Sequence, residues 1–282
     1  MQHTRNLPSA ERNKNCKLIE KDTKLNLTPD DRTKADMLRM GRIVFRFESV
    51  GSTNDIAKTL AKKGLAEGTV VIAKKQEQGR GRRNKKWISP SGGLWFSVIL
   101  RRKISPLIPL AAGVSIARTI RRLYQIDVTL KWPNDVMAGT RKIAGILTES
   151  SSTPDDYYAV VGFGINANNS YKSMPTQLRN EMISLSDLLG SEVNIDQLMQ
   201  ESLKAFSQDY AKIVTNNLED IVRDWKMLTN MLRQPILVYE DEIPFEARAL
   251  DLDSDGALLI QTKDGALRRL HSGNISIRRV EI

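Results

Sequence analysis

Gln76-Glu77-Gln78-Gly79-Arg80-Gly81-Arg82-Arg83-Asn84-Lys85-Lys86-Trp87 gathers flexible glycines, five cations and an indole into one short segment. Glycine admits positive φ and lets a backbone approach a ligand closely, while guanidinium groups clamp carboxylates or phosphates with paired hydrogen bonds. Trp87 adds a flat face on which a purine could stack. Taken alone, such a run is equally a solvated basic loop or a nucleic-acid arm. Its flanks decide the fold. Residues 69–74 and 94–100 are apolar enough to be strands of a covered sheet, so the cations sit on a loop between two core elements. The spacing is neither that of a Walker phosphate loop nor that of a GxGxxG turn.

Outward from that loop, strand and helix patterns alternate. Residues 43–47 read as a strand, and Ser52-Thr53-Asn54-Asp55 opens a helix that runs through Lys62 and ends at Gly64. Ser105-Pro106 starts an apolar-striped helix to about Tyr124, followed by strands near 128–132, 142–149 and 157–166. Gly139, Lys142 and Gly145 favour a hairpin returning to the same sheet. Two helices with mainly polar faces follow, near 195–214 and 218–228. After Arg233-Gln234-Pro235 the texture shifts to short strands punctuated by Asp255-Gly256, Asp264-Gly265 and Ser272-Gly273, a spacing that suggests a small β-barrel. The expected organisation is therefore an α/β (α+β) chain in three parts. Residues 1–41 form a polar extension, mobile to about residue 27, with a short helix from Thr28-Pro29-Asp30-Asp31 to about Met40; a main domain spans 42–232 and a barrel 233–282.

Composition narrows the function. The 282 residues are 40% hydrophobic, enough for a real core, and the formal net charge of +10 favours anionic partners. The single cysteine, Cys16, excludes an intramolecular disulfide and a cysteine-held zinc, which fits a reducing cytoplasm. No segment approaches the roughly 20 apolar residues of a membrane span, and the N-terminal stretch has no apolar export signal. The two histidines, His3 and His271, lie in the extension and the terminal barrel, so a Ser-His-Asp triad or a His-rich metal site in the main domain is not expected. Chemistry there would work by positioning and electrostatics.

Three further strings carry candidate ligands. Lys131-Trp132-Pro133-Asn134-Asp135 puts an ammonium at a strand end, where it is either a snorkelling lysine or a cation that neutralises charge between a carboxylate and an α-phosphate. Val161-Gly162-Phe163-Gly164-Ile165-Asn166 reads as a buried strand whose glycines admit a close neighbour, backbone or ligand, with Asn166 at its end. Ser52-Thr53-Asn54 is first a helix cap and secondly a source of hydroxyl and amide groups for a small polar head.

Together with Lys142-Ile143-Ala144-Gly145-Ile146-Leu147, these motifs, in this order, resemble those of biotin protein ligases from about residue 42 to the C-terminus. The resemblance implies a mixed-sheet, class II synthetase-like catalytic domain followed by an SH3-like β-barrel. It also implies two steps: biotin and MgATP give biotinyl-5′-AMP and pyrophosphate, and a lysine of a biotin carrier domain, expected in acetyl-CoA carboxylase, then attacks the mixed anhydride. By motif match Ser52, Thr53, Asn54, Gln76, Gly79, Arg80, Gly81, Arg82, Lys131 and Gly145 would surround biotin or its adenylate. Arg80 and Lys131 would stabilise charge during adenylation, and Arg83, Trp87, Asn134, Lys142 and Asn166 would lie toward the nucleotide. The Gly79 to Arg83 loop with Lys131-Trp132-Pro133-Asn134-Asp135 favours biotin over lipoate. The chain departs from the bifunctional ligase-repressors in lacking a full N-terminal winged helix-turn-helix, which argues against operator binding. The sequence does not fix the oligomeric state, and analogy with the family allows a homodimer.

Overall fold

The computed structural model describes residues 18–22, 40–102, 105–152, 157–240, 243–272 and 275–279. An eight-stranded sheet comprises β1 (Leu18–Asp22), β2 (Val44–Val50), β3 (Val70–Gln76), β4 (Leu94–Leu100), β5 (Thr129–Lys131), β6 (Asp135–Ala138), β7 (Arg141–Ser152) and β8 (Tyr157–Ile165). Its order is β1-β2-β3-β4-β8-β7-β6-β5. Only β2 and β3 run parallel, as expected where a helix forms the crossover; the other neighbours are antiparallel.

Alternation along the central strands gives the sheet two different faces. Leu94, Phe96, Val98 and Leu100 of β4, with Val161, Phe163 and Ile165 of β8, join the larger core. That face is covered by α2 (Ile108–Tyr124), α4 (Ile195–Val214) and α5 (Leu218–Leu228). Phe96 stacks on Phe163 with centroids 4.6 Å apart, and Phe163 meets Phe206 of α4 edge-on at 5.2 Å. The last two helices are thus less polar-faced than the sequence suggests, since Phe206, Tyr210 and Trp225 are all buried. On the opposite face α1 (Thr53–Lys62) packs over Phe45, Phe47, Val71, Ala73 and Ile99. Beside it on that face β4 presents Trp95 and Ser97, and β8 presents Gly162 and Gly164, whose missing side chains leave room against the sheet.

The predicted C-terminal strands appear as β9 (Pro235–Glu240), β10 (Ile243–Leu252), β11 (Leu258–Thr262), β12 (Leu267–Leu270) and β13 (Ile275–Arg279). They form one antiparallel sheet in the order β12-β11-β10-β9-β13, and among the described residues its edge strands β12 and β13 do not pair to close a barrel. This sheet is tied to the eight-stranded one: buried Trp132 donates through Nε1 to the Gly256 carbonyl at 3.0 Å. Gly256, at φ +84°, lies so close to α2 that a Cβ there would stand 2.8 Å from Leu107.

Three further features differ from the sequence reading. Residues 18–22, expected to be mobile, form an edge strand along β2, because an edge needs only backbone partners and not a hydrophobic core. Strand β6 and the short helix α3 (Leu185–Leu189) were not anticipated. The helix beginning at Ser105-Pro106 instead starts at Ile108, after a turn in which Ser105 Oγ accepts from Leu107 N. The helix predicted from Thr28, together with His3 and Cys16, lies outside the described residues.

Trp132→Phe strands the Gly256 carbonyl in a buried contact, and we expect it to lower unfolding free energy by about 1–3 kcal/mol in urea titrations, with secondary structure unchanged.

Candidate active site

Strand register builds the site. Trp95 of β4 pairs with Gly164 of β8, Gly164 with Gly145 of β7, Gly145 with Asp135 of β6, and Asp135 with Lys131 of β5. A single row across five strands therefore reads Trp95, Gly164, Gly145, Asp135, Lys131. Two adjacent glycines in this row leave a trough, and the indole of Trp87 fills it. A Cβ on Gly164 would stand 2.6 Å from Trp87 Nε1, and one on Gly145 would be 3.1 Å from the ring. Trp87 also meets Trp95 edge-to-face at 6.5 Å. Its Nε1 is buried without a hydrogen-bond partner.

The basic segment that carries Trp87 is a small hairpin and not an irregular loop. Arg80 bridges Lys86 in antiparallel fashion, Trp87 N donates to Gly79 O at 2.9 Å, and Gly81 N donates to Lys85 O at 2.7 Å. Arg82–Asn84 form a single 3₁₀ turn at its tip, where Arg83 and Asn84 both take φ of 56°. At the root Gly79 has no room for a side chain, since its Cβ would overlap Trp87 O and sit 2.6 Å from Ser89 Oγ.

Hairpin, sheet and α1 enclose a cavity of about 860 Å³. Its walls include Ser52, Thr53, Asn54, Gln76, Arg80, Gly81, Arg82, Arg83 and Trp87, and also Lys131, Asn134, Lys142, Gly145 and Asn166. Of the residues singled out by sequence, only Gly79 does not line it; Gly79 shapes the hairpin that does. Predominantly polar groups gather near α1. Thr53 donates from N and Oγ1 to Gln76 Oε1 at 2.8 and 3.0 Å, and Gln76 Nε2 donates to Ser89 Oγ at 2.9 Å. Ser97 Oγ lies 2.8 Å from Thr53 Oγ1 and 2.6 Å from Asn54 Oδ1. Asn54 Nδ2 donates to Glu149 Oε2 at 2.7 Å.

The cations are matched by carboxylates to different degrees. Arg80 makes a bidentate pair with Asp55, at 2.7 and 2.5 Å, which holds the Asp55 carboxyl below its ordinary range against the opposing effect of burial. Lys142 pairs with Asp135 at 2.8 Å and stands 5.6 Å over the Trp87 ring. Arg82 is deeply placed, and burial pulls its guanidinium below the usual arginine range. It reaches Asn134 Oδ1 at 3.4 Å and the Ile275 carbonyl of β13 at 3.1 Å, so the C-terminal sheet closes one side of the cavity. Asn134 and Asn166 act partly as struts: Asn134 Nδ2 donates to Ile146 O at 2.6 Å, and Asn166, 2% exposed, donates to Lys142 O and accepts from Asn169.

Sequence reading missed Ser97, Glu149, Asp55, Asp135 and Ile275. Ser97 left a mark as the one hydroxyl in the otherwise apolar run of β4, while Asp55 and Asp135 stood inside motifs, read as a helix start and a turn. Among the described residues no group of three or more His, Cys, Asp or Glu is placed to hold a metal. A magnesium ion carried on nucleotide phosphates needs few protein ligands, and Asp135 and Glu181 are the carboxylates of the cavity wall.

Residues 46–166 match the model of the biotin/lipoate A/B protein ligase family, and residues 236–278 match the biotin protein ligase C-terminal domain. The bifunctional ligase/repressor BirA of Bacillus subtilis is 32% identical over 279 residues, covering 95% of this chain and 84% of that protein. The biotin–[acetyl-CoA-carboxylase] ligase of Paracoccus denitrificans is 28% identical, with 76% of this chain and 92% of that one covered. Among solved structures, the biotin protein ligase of Aquifex aeolicus in complex with biotin and ATP superposes with a TM-score of 0.74 at 26% identity, over 84% of this chain and 99% of that one. A matching catalytic segment, a matching C-terminal segment and a relative aligned over nearly the whole chain lead to one conclusion: the chain belongs to the biotin/lipoate A/B protein ligase family.

Proposed function

We propose that the protein is an ATP-dependent ligase that activates biotin as biotinyl-5′-AMP and transfers the biotinyl group to a lysine of a biotin carrier domain. The observation that carries this reading is the single cavity that unites the polar cluster at α1, the Trp87 platform and the cations Arg82, Lys131 and Lys142. Arg80, Arg82 and Arg83 stand in its wall, which favours a bound small molecule over a nucleic-acid arm.

In the first step a carboxylate oxygen of biotin attacks the α-phosphorus of ATP, and the bond to pyrophosphate breaks. Negative charge builds between two anions that repel each other, so fixed cations lower the barrier more than a general base could. We assign that role to Lys131 and Arg82. Lys142 would leave Asp135 for the phosphates, uncovering the Trp87 face for the base, with Arg83 beside it. Thr53, Asn54 and Gln76 would hold the biotin head, and the glycine backbone of Gly79 to Gly81 would approach the acyl phosphate. Magnesium would arrive with ATP and supply further charge neutralisation near Asp135. In the second step the carrier amine, deprotonated, attacks the acyl carbon, AMP leaves with the bonding pair, and an amide forms. The chain supplies position and charge, and keeps water from the anhydride.

The carrier we propose is that of acetyl-CoA carboxylase, and the compartment the cytoplasm; among the described residues no helix is long and apolar enough to cross a membrane. The Bacillus relative is also named a repressor, but our reading takes only the ligase activity. Incubation with biotin, MgATP and a carrier domain tests it: biotinyl-5′-AMP and a modified carrier are expected, and absence of both rejects it. Competition with lipoate separates the related reading within the same family.

Lys131→Ala should depress single-turnover adenylate formation on the order of a hundredfold while thermal unfolding stays unchanged. Gly164→Ala forces a methyl into the indole, a strain of roughly 1–3 kcal/mol, and should weaken ATP binding about tenfold in calorimetry. Among the described residues β7 beyond Ile146 pairs with β8 on one side and with no strand on the other, an edge able to take another strand. We therefore expect a homodimer by sedimentation equilibrium.

A further inference from the structure

Arg80 lines the cavity, and its guanidinium is directed toward α1. Both terminal nitrogens are engaged by the two oxygens of Asp55, and Glu149 Oε2 lies 3.8 Å beyond. Lys58 joins the two acids, at 3.2 Å to Asp55 and 2.8 Å to Glu149. Two cations and two carboxylates thus link three elements: α1, β7 and the basic hairpin. An acid in the first turn of a helix is ordinarily explained by the helix dipole. Here Ser52 makes no side-chain cap, and Asp55 directs both oxygens across 25 residues of sequence to the hairpin. An isolated surface ion pair contributes little, but bidentate geometry within a network is the exception. Arg80 is 29% exposed and Asp55 46%, so the pair is partly shielded by its neighbours.

The other arm of the same hairpin is tied to the same turn of α1. Trp87 O accepts from Ser89, Ser89 accepts from Gln76, and Gln76 accepts from Thr53. Both arms are therefore fastened to the first turn of one helix, the first by charge at Asp55 and the second by neutral hydrogen bonds at Thr53.

We propose that Asp55 is a positioning residue: by holding Arg80 it anchors the first arm of the basic hairpin against α1, so that the backbone of Gly79 to Gly81 and the neighbouring Arg82 stay closed over the bound adenylate. The role in adenylate retention rests on the ligase reading; the anchor itself does not. Arg80 in this view acts through its backbone and its anchorage, and the charge at the reacting atoms comes from Lys131 and Arg82.

Amide hydrogen exchange on the ligand-free protein reads the anchor directly. Asp55→Asn should speed exchange at Gly81 and Trp87 about tenfold and leave α4 unchanged, because only local opening is affected. Arg80→Gln should do the same, and the double variant should exchange less fast than the sum of the single effects requires, as expected for two residues that share one anchoring pair. Asp55→Glu should restore part of the protection. In the active enzyme Asp55→Asn should release biotinyl-5′-AMP faster while the rate of adenylate formation changes less. Unaltered hairpin exchange in Asp55→Asn, or additive effects of the two single variants, would overturn the proposal and leave the ligase reading intact. Loss of protection in a protein that never makes biotinyl-5′-AMP would sink the ligase reading and leave the anchor standing. Should Asp55→Asn fail to fold, Arg80→Gln carries the exchange test alone.

Discussion

The pairing of Gly145 with Gly164 across β7 and β8 is the constraint from which the site follows. Only two side-chain-free residues side by side let an indole lie directly on the sheet, and the Trp87 ring does so at distances that leave no room for a methyl. Trp87 ends the basic hairpin, so fixing the ring fixes where the hairpin lands. The same register carries Asp135 and Lys131 into line with the glycines, giving one row of platform, acid and cation. A slip of one residue in any of these strands would turn its members to the helix-covered face.

Charge is arranged as deliberately as shape. A cavity crowded with unmatched cations would repel its own walls before any ligand arrived, and Arg80 and Lys142 are each matched by a carboxylate, Asp55 and Asp135. The first pair fastens the hairpin to α1. The second lies at the cavity wall, where an arriving polyphosphate can replace the Asp135 carboxylate. Arg82 differs from both: it bridges hairpin and C-terminal sheet through the Ile275 carbonyl, which makes that sheet part of the site and not an appended module. The Trp132 bond to Gly256 strengthens the same junction from beneath.

Much of this was legible in the sequence because it is encoded locally. The apolar runs of β4 and β8, the helices α1, α4 and α5, and the alternating strands after Pro235 all follow from short-range periodicity and turn residues. The residues proposed to face the ligand were legible as motifs, and the cavity gathers all of them but Gly79. What was not legible depends on pairing between distant residues. Asp55 looks like an ordinary first-turn acid until Arg80 is placed beside it, and Ile275 offers only a backbone carbonyl, which no side-chain pattern reveals. The strand at residues 18–22 escaped notice because edge pairing rests on backbone groups, so a polar sequence can supply it.

A crystal structure of the protein with biotinyl-5′-AMP tests the central claim most directly. The account predicts the adenine against the Trp87 indole, the acyl phosphate within hydrogen-bonding distance of Lys131 and Arg82, and Lys142 moved from Asp135 toward the phosphate. An adenylate bound elsewhere, or bound in this cavity with the base away from Trp87 and the acyl phosphate away from Lys131, would contradict it.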